Sequence, residues 1–148
     1  MYQNNYKNRL YGRTRGRSKK KININFYNEI LNEYIFKKFI PNNKYILDIG
    51  TGYGETTIYL SEKNKNKIIV ACEKYIDGNL NLLKEIKLRE IKNIEIHPGN
   101  INDILDKNYT KNYFDMVWIY FPDPWPKKKH FKRRLINDEF LKKIYNFL

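Results

Sequence analysis

From about Asn25 the apolar positions fall at three- and four-residue spacing, through Tyr27, Ile30, Leu31, Tyr34 and Ile35. That period predicts an amphipathic helix, stopped before Pro41. The pattern then shortens. Tyr45-Ile46-Leu47-Asp48-Ile49-Gly50 reads as a short apolar strand breaking into a glycine turn, with a helix expected from near Glu55. Lys67 to Glu73 reads as a second buried strand, and residues 77–90 as a helix with Leu80, Leu83 and Ile86 on one side. Asn93 to His97 gives a third strand, followed by Pro98-Gly99-Asn100. Phe114 to Phe121 is a near-continuous apolar run of the sort central parallel strands show. A final helix over about 135–147 carries Leu135, Ile136, Phe140, Leu141 and Ile144.

Strands alternating with helices predict an α/β fold with a parallel sheet. At 148 residues the chain is expected to form one domain over residues 23–148, preceded by a polar, basic arm over 1–22. It stops inside a helix, where a βαβ series normally goes on to another strand. The predicted sheet is therefore C-terminally incomplete.

The formal net charge of +13 points to nucleic acid or another anionic surface as partner. A uniform tilt toward lysine and asparagine reflects coding bias equally well, so arginine is the better witness. Six of the seven arginines fall in two clusters, Arg9, Arg13, Arg15 and Arg17 and then Arg133 and Arg134, with Arg89 alone. One cysteine, Cys72, and two histidines, His97 and His130, leave no internal disulfide and no expected metal site. No stretch is apolar enough to span a bilayer, and the N-terminus lacks the apolar core of a secretory signal, so a reducing cytoplasm is the default expectation.

Asp48-Ile49-Gly50-Thr51-Gly52-Tyr53-Gly54-Glu55 sits where the first strand meets its helix. The carboxyl end of a strand is where open α/β sheets take ligands, and glycines let the backbone approach closely. A dinucleotide loop would place its third glycine at residue 55, where this chain has Glu55, a poor neighbour for a pyrophosphate. Glu73 follows the second strand, 19 residues beyond Gly54, where a carboxylate can accept from both hydroxyls of a ribose. Asp48 repels phosphate and suits an amino group. A cationic, ribose-bearing ligand without phosphates fits, and S-adenosylmethionine is one. The plainer alternative is a tight turn beside an exposed strand-end acid.

After the fourth strand comes Phe121-Pro122-Asp123-Pro124-Trp125-Pro126, then Lys127-Lys128-Lys129-His130-Phe131-Lys132-Arg133-Arg134. The prolines stiffen the loop around Asp123. Trp125 either offers a flat face to a base or packs in the core. The cations that follow suit phosphates. Asp123 is expected to face the reactive end of the cofactor.

Those residues resemble the signature of bacterial tRNA (guanine-N7)-methyltransferases, which make 7-methylguanosine at position 46 in the tRNA variable loop. The Asp48–Glu55 loop, Glu73 and the basic segment Tyr11-Gly12-Arg13-Thr14-Arg15-Gly16-Arg17 follow in the family's order, over essentially the whole chain. The resemblance implies a class I SAM-dependent methyltransferase fold, a Rossmann-like parallel sheet with helices on both faces and C-terminal strands absent. It implies S-adenosylmethionine held by Asp48, Gly50, Gly52, Glu73, Asn100 and Asp123, with Asp123 also catalytic. Lys127 would contact the guanosine, and Lys129, His130, Phe131, Lys132, Arg133 and Arg134 would bind RNA. The partner would be tRNA, with no metal and no membrane, and the protein a monomer or a homodimer. Two positions depart from the family, which has Glu where this chain has Asp48 and Asp where it has Asn100. The family's later Thr-Asp and Thr-x-x-Glu motifs, which help bind the target guanosine, have no counterpart, and in the strand order usual for this fold the fourth strand is then left as an exposed apolar edge. Two other readings stay open: an RNA-binding fragment without activity, and a class I methyltransferase with another substrate.

Overall fold

The computed structural model describes residues 23–107, 112–120 and 122–148. The arm expected over 1–22 and Phe121 of the proline motif lie outside the described residues. The chain runs α1 (Ile24–Tyr34), β1 (Tyr45–Ile49), α2 (Glu55–Lys63), β2 (Ile68–Cys72), α3 (Ile76–Leu88), β3 (Ile94–His97), α4 (Asn102–Leu105) and β4 (Phe114–Ile119). A 3-10 helix (Lys128–Arg133) and α5 (Asp138–Tyr145) follow.

The strands form one parallel sheet in the order β3-β2-β1-β4. All five residues of β1 are buried, and the period-two alternation of a strand divides them between two cores. Ile46 joins Ile69, Ala71, Ile94 and Ile96 beneath Tyr27 and Leu31 of α1, Ile58 and Leu60 of α2, and Leu82, Leu83 and Ile86 of α3. Tyr45, Leu47 and Ile49 join Val70 and Cys72 beneath Ile104 and Leu105 of α4 and Phe140 and Ile144 of α5. The Rossmann-like parallel α/β fold with helices on both faces is as expected.

Three elements differ from the sequence pattern. Ile35 continues the helical spacing but leaves α1: it forms a parallel bridge with Ile96, and the Phe36 amide donates to the Ile96 carbonyl at 2.8 Å. The chain thus rounds the β3 edge and drops Phe36 and Phe39 into the second core, where Phe39 meets Tyr45 at 5.1 Å and stacks on Tyr113 at 4.3 Å between ring centres. The run from Phe114 has the apolar composition of a central strand, yet it lies at an edge of the described sheet, the exposed edge expected from the fold's usual strand order. Only Phe114 is fully buried there, and exposed Asp115 pairs with Lys67 at 3.1 Å. A charge on an edge strand discourages pairing with a further chain.

The last helix is also shorter than its pattern. Asn137 accepts from the Phe140 amide at 3.0 Å and starts α5 three residues later than the apolar spacing suggests, because a side-chain acceptor at the N-cap satisfies amides that have no partner within the helix. Of the apolar residues in this pattern, Ile136 and Leu141 are exposed and Phe140 and Ile144 are buried.

Asn93 holds the lower end of the sheet. Its amide nitrogen donates to the carbonyls of Ser61, Asn64 and Lys67 at 3.1, 3.2 and 3.1 Å. It thereby ties the end of α2 to the entrances of β2 and β3. Asn93→Ala removes this shared donor, although the Asn64 carbonyl keeps the Lys67 amide, and is expected to cost about 1–3 kcal/mol, read as a lower urea midpoint at unchanged slope.

Candidate active site at the carboxyl ends of the strands

β1 delivers Asp48 to the last turn of the sheet, and the chain then reverses through Gly50, Gly52 and Gly54, all at positive φ (77°, 55° and 90°). The glycines divide by role. An added Cβ at Gly50 or Gly52 would meet nothing within 4 Å, so the loop's outer face borders open space. At Gly54 it would lie 2.7 Å from the Leu82 methyl, so this glycine lets the start of α2 close on α3. Beneath the loop the Thr51 hydroxyl is buried without a hydrogen-bond partner among the described residues.

Asp48 does not present its carboxylate at the loop surface. It is 1% exposed, and the Thr57 hydroxyl of α2 donates to it at 2.7 Å. Burial pushes the Asp48 carboxyl up to about 6; the Thr57 hydrogen bond opposes this and the nearby Glu73 charge adds to it. Direct contact with a ligand's amino group, the role suggested by the sequence, is closed in this arrangement.

Glu73 stands at the end of β2, and its carboxylate is already engaged. One oxygen accepts from the amides of Lys74 and Tyr75 at 2.7 and 2.8 Å, the other from the Gly52 amide at 3.0 Å. The β2–α3 turn holds the glycine loop in further ways. Asn81 donates to the Tyr53 carbonyl at 2.9 Å, and the Tyr53 and Tyr75 hydroxyls meet at 3.3 Å. Asn79 donates to the Glu73 carbonyl at 2.9 Å. Gly78, inside α3, is buried against the Gly52 carbonyl.

At the end of β3, the Asn100 side chain turns inward: its oxygen accepts from the amide and the side chain of Asn102 at 2.9 and 3.1 Å. His97 Nε2 donates to the Asn100 carbonyl at 3.0 Å. Cys72 is buried and directed at the Gly99 carbonyl, and burial raises its thiol well above the ordinary range, which suits packing and not nucleophilic attack.

Beyond β4, Asp123 is exposed on the stretch between Pro122 and Pro126. Trp125 has φ 38°, a left-handed backbone that costs about 1–3 kcal/mol unless its surroundings hold it. Here they do. The Arg133 guanidinium lies 5.1 Å from the Trp125 ring centre, His130 meets the ring edge-on at 5.4 Å, and Arg134 donates to the Trp125 carbonyl at 3.3 Å. Arg134 also covers the Phe131 ring at 4.0 Å. Partial burial, with Arg133 and Lys127 beside it, holds the His130 imidazole below its ordinary value. Trp125 therefore packs into this local cluster and into neither main core. Lys127, Lys129 and Lys132 are exposed.

Sequence reasoning singled out Glu73 but missed Thr57, Asn81 and Gly78. A glycine inside the helical pattern of residues 77–90 was the available signal for the last of these. Among the described residues no group of three or more His, Cys, Asp or Glu is placed to hold a metal ion, and no helix is long and apolar enough to cross a membrane.

The family model described as "Putative methyltransferase" matches residues 42–148, from just before β1 to the end of α5. The chain belongs to this methyltransferase family. It is 37% identical over 134 residues to the tRNA (guanine-N(7)-)-methyltransferase of Mycoplasmopsis pulmonis, covering 90% of this chain and 63% of that protein. It is 38% identical over 107 residues to the enzyme of the same description from Nitrosomonas europaea, covering 72% of this chain and 46% of the relative. The chain thus spans about half to two thirds of these curated relatives. Among solved structures, coclaurine N-methyltransferase bound to N-methylheliamine and SAH matches with a TM-score of 0.53 at 19% identity, over 90% of this chain and 36% of that one. The family member accordingly has the class I SAM-dependent methyltransferase architecture.

Asp48 gives this fold a definite pH dependence. Its carboxyl is raised in the folded state, so the native protein binds the extra proton and stability falls as pH rises from about 4 to about 6. Asp48→Asn is expected to remove that slope and to raise stability at pH 7 by on the order of 2–3 kcal/mol, with little change near pH 4. Thermal unfolding across pH checks both limits.

Proposed function

We propose that this protein transfers a methyl group from S-adenosylmethionine to N7 of guanine at position 46 in the tRNA variable loop. The observation that carries the reading is the stretch after β4: an exposed carboxylate, Asp123, held on a braced loop with a cationic 3-10 helix directly beyond it. The names of the relatives support the same substrate.

The cofactor fits the residues present. The outer face of the loop at Gly50 and Gly52 is open, and Glu73 beside it suits a cationic ligand with ribose hydroxyls and no phosphate. Gly50, Gly52, Glu73, Asn100 and Asp123 would hold it, with Asp48 acting from below through the loop it supports. Bound there, S-adenosylmethionine supplies a methyl group activated by its sulfonium charge.

The work of the chain is then mainly positioning. Guanine N7 carries its lone pair in the ring plane and needs no deprotonation, so no general base is required. Orientation alone can account for a large part of the barrier. The base gains positive charge as it is methylated, and a fixed carboxylate at Asp123 favours that charge. Lys127 would contact the guanosine. Lys129 and Lys132 would meet phosphates, while Arg133, Arg134, His130 and Phe131 shape the segment that presents them.

A second reading is an RNA-binding unit without activity of its own, which the exposed cations Lys127, Lys129 and Lys132 would serve equally well. Labelled methyl transfer to unmodified tRNA, with the product mapped to N7, separates the two: binding without transfer supports the second. Asp123→Asn is expected to lower turnover at least tenfold with tRNA affinity nearly unchanged; equal turnover would remove Asp123 from the chemistry. Replacing Lys129 and Lys132 together by Ala should reduce the slope of log affinity against log salt by about 1.5, since each phosphate contact contributes about 0.7–0.9. An unchanged slope would place the RNA elsewhere.

A further inference from the structure

Glu73 is the residue through which the cofactor reading meets the glycine loop, and its hydrogen bonds restrict how it can serve both. A carboxylate offers about four lone-pair sites. Lys74 and Tyr75 occupy both sites of one oxygen, and the Gly52 amide takes one on the other. Among the described residues one acceptor site remains, whereas a ribose brings two hydroxyls. On the other side of the same residue, the Gly52 carbonyl is seated against α3. A Cβ on Gly78 would lie 2.0 Å from the Gly52 carbonyl oxygen, so α3 keeps a glycine in its first turn, at a cost of about 1 kcal/mol relative to alanine. That glycine leaves room for the carbonyl to seat.

Resting on the cofactor reading above, we propose that Glu73 and Gly78 form a latch on Gly52, which the two ribose hydroxyls of the bound cofactor open by taking the Gly52 amide's place on the Glu73 carboxylate. One hydroxyl fits the remaining site with the latch closed. The second displaces the amide. Turning that amide outward rotates the 51–52 peptide about ψ of Thr51 and φ of Gly52, and at Gly52, standing at φ 55°, no Cβ restricts the change. Glu73 and Gly78 are thus positioning residues that couple ribose recognition to the shape of the loop.

The test is the Gly52 amide resonance in proton–nitrogen correlation spectra of the full chain. A charge-assisted hydrogen bond places this proton downfield. Glu73→Ala removes the acceptor and should move the resonance upfield; Gly78→Ala should do the same with the carboxylate intact, and it serves as the reference where Glu73→Ala does not fold. Saturating S-adenosylhomocysteine should move the wild-type resonance to that upfield position. Its 2′-deoxy form places the same adenine and thioether beside the loop but brings one hydroxyl, so the resonance should stay downfield. A downfield resonance with both probes bound, or an upfield shift with both, overturns the latch while leaving the cofactor reading intact. If calorimetry detects no binding of S-adenosylhomocysteine, the cofactor reading fails and the latch fails with it.

Discussion

A strand with no face toward solvent governs the rest of this molecule. β1 is covered on one side by three helices and on the other by two, and every one of its residues is buried. Such a strand can carry a polar side chain only where a partner is supplied from within. Asp48 therefore depends on Thr57, and α2 must begin close enough to bring that hydroxyl down. The glycine loop follows from the same demand: it turns the chain sharply enough for α2 to begin at Glu55 and pack against α3 with no side chain at Gly54 between them. The geometry of the mouth is a by-product of burying the strand below it.

Charge is distributed unevenly around that mouth. Acids border the glycine loop, and cations crowd the far side of the proline-rich stretch. The formal charge of the cationic segment overstates its reach toward a polyanion. Two of its guanidinium groups are committed to Trp125 and Phe131, where they offset the strain of the Trp125 backbone. Stiffness around Asp123 therefore has two sources: the prolines, which act through φ, and the arginines, which act through the indole.

Much of this was legible before any coordinates. The strands and their order along the chain followed from apolar runs ending at glycine, proline or acid, and Glu73 stood out by its distance from the glycine loop. What was not legible has physical causes. The helical spacing at Ile35 is indistinguishable from the end of α1, since the same apolar side chain satisfies either surrounding; only the sheet edge, a tertiary feature, decides. The edge position of β4 was legible from the strand order usual for the fold, but not the partial cover of Val117, Trp118 and Ile119, because composition does not separate half-covered from buried. The inward turn of Asp48 and the backbone hydrogen bonds on Glu73 depend on side-chain rotamers that spacing does not encode. The arm over 1–22 lies outside the described residues.

The passage of residues 35–39 around the β3 edge has a thermodynamic consequence. Tyr27 and Leu31 belong to one core and Phe36 and Phe39 to the other, so one short stretch of chain is anchored on both sides of the sheet. Neither layer can melt and leave its counterpart native, because loss of either frees the same segment. The two cores are one cooperative unit. Damage to the face remote from the glycine loop is therefore expected to be felt there too, as a change in global stability.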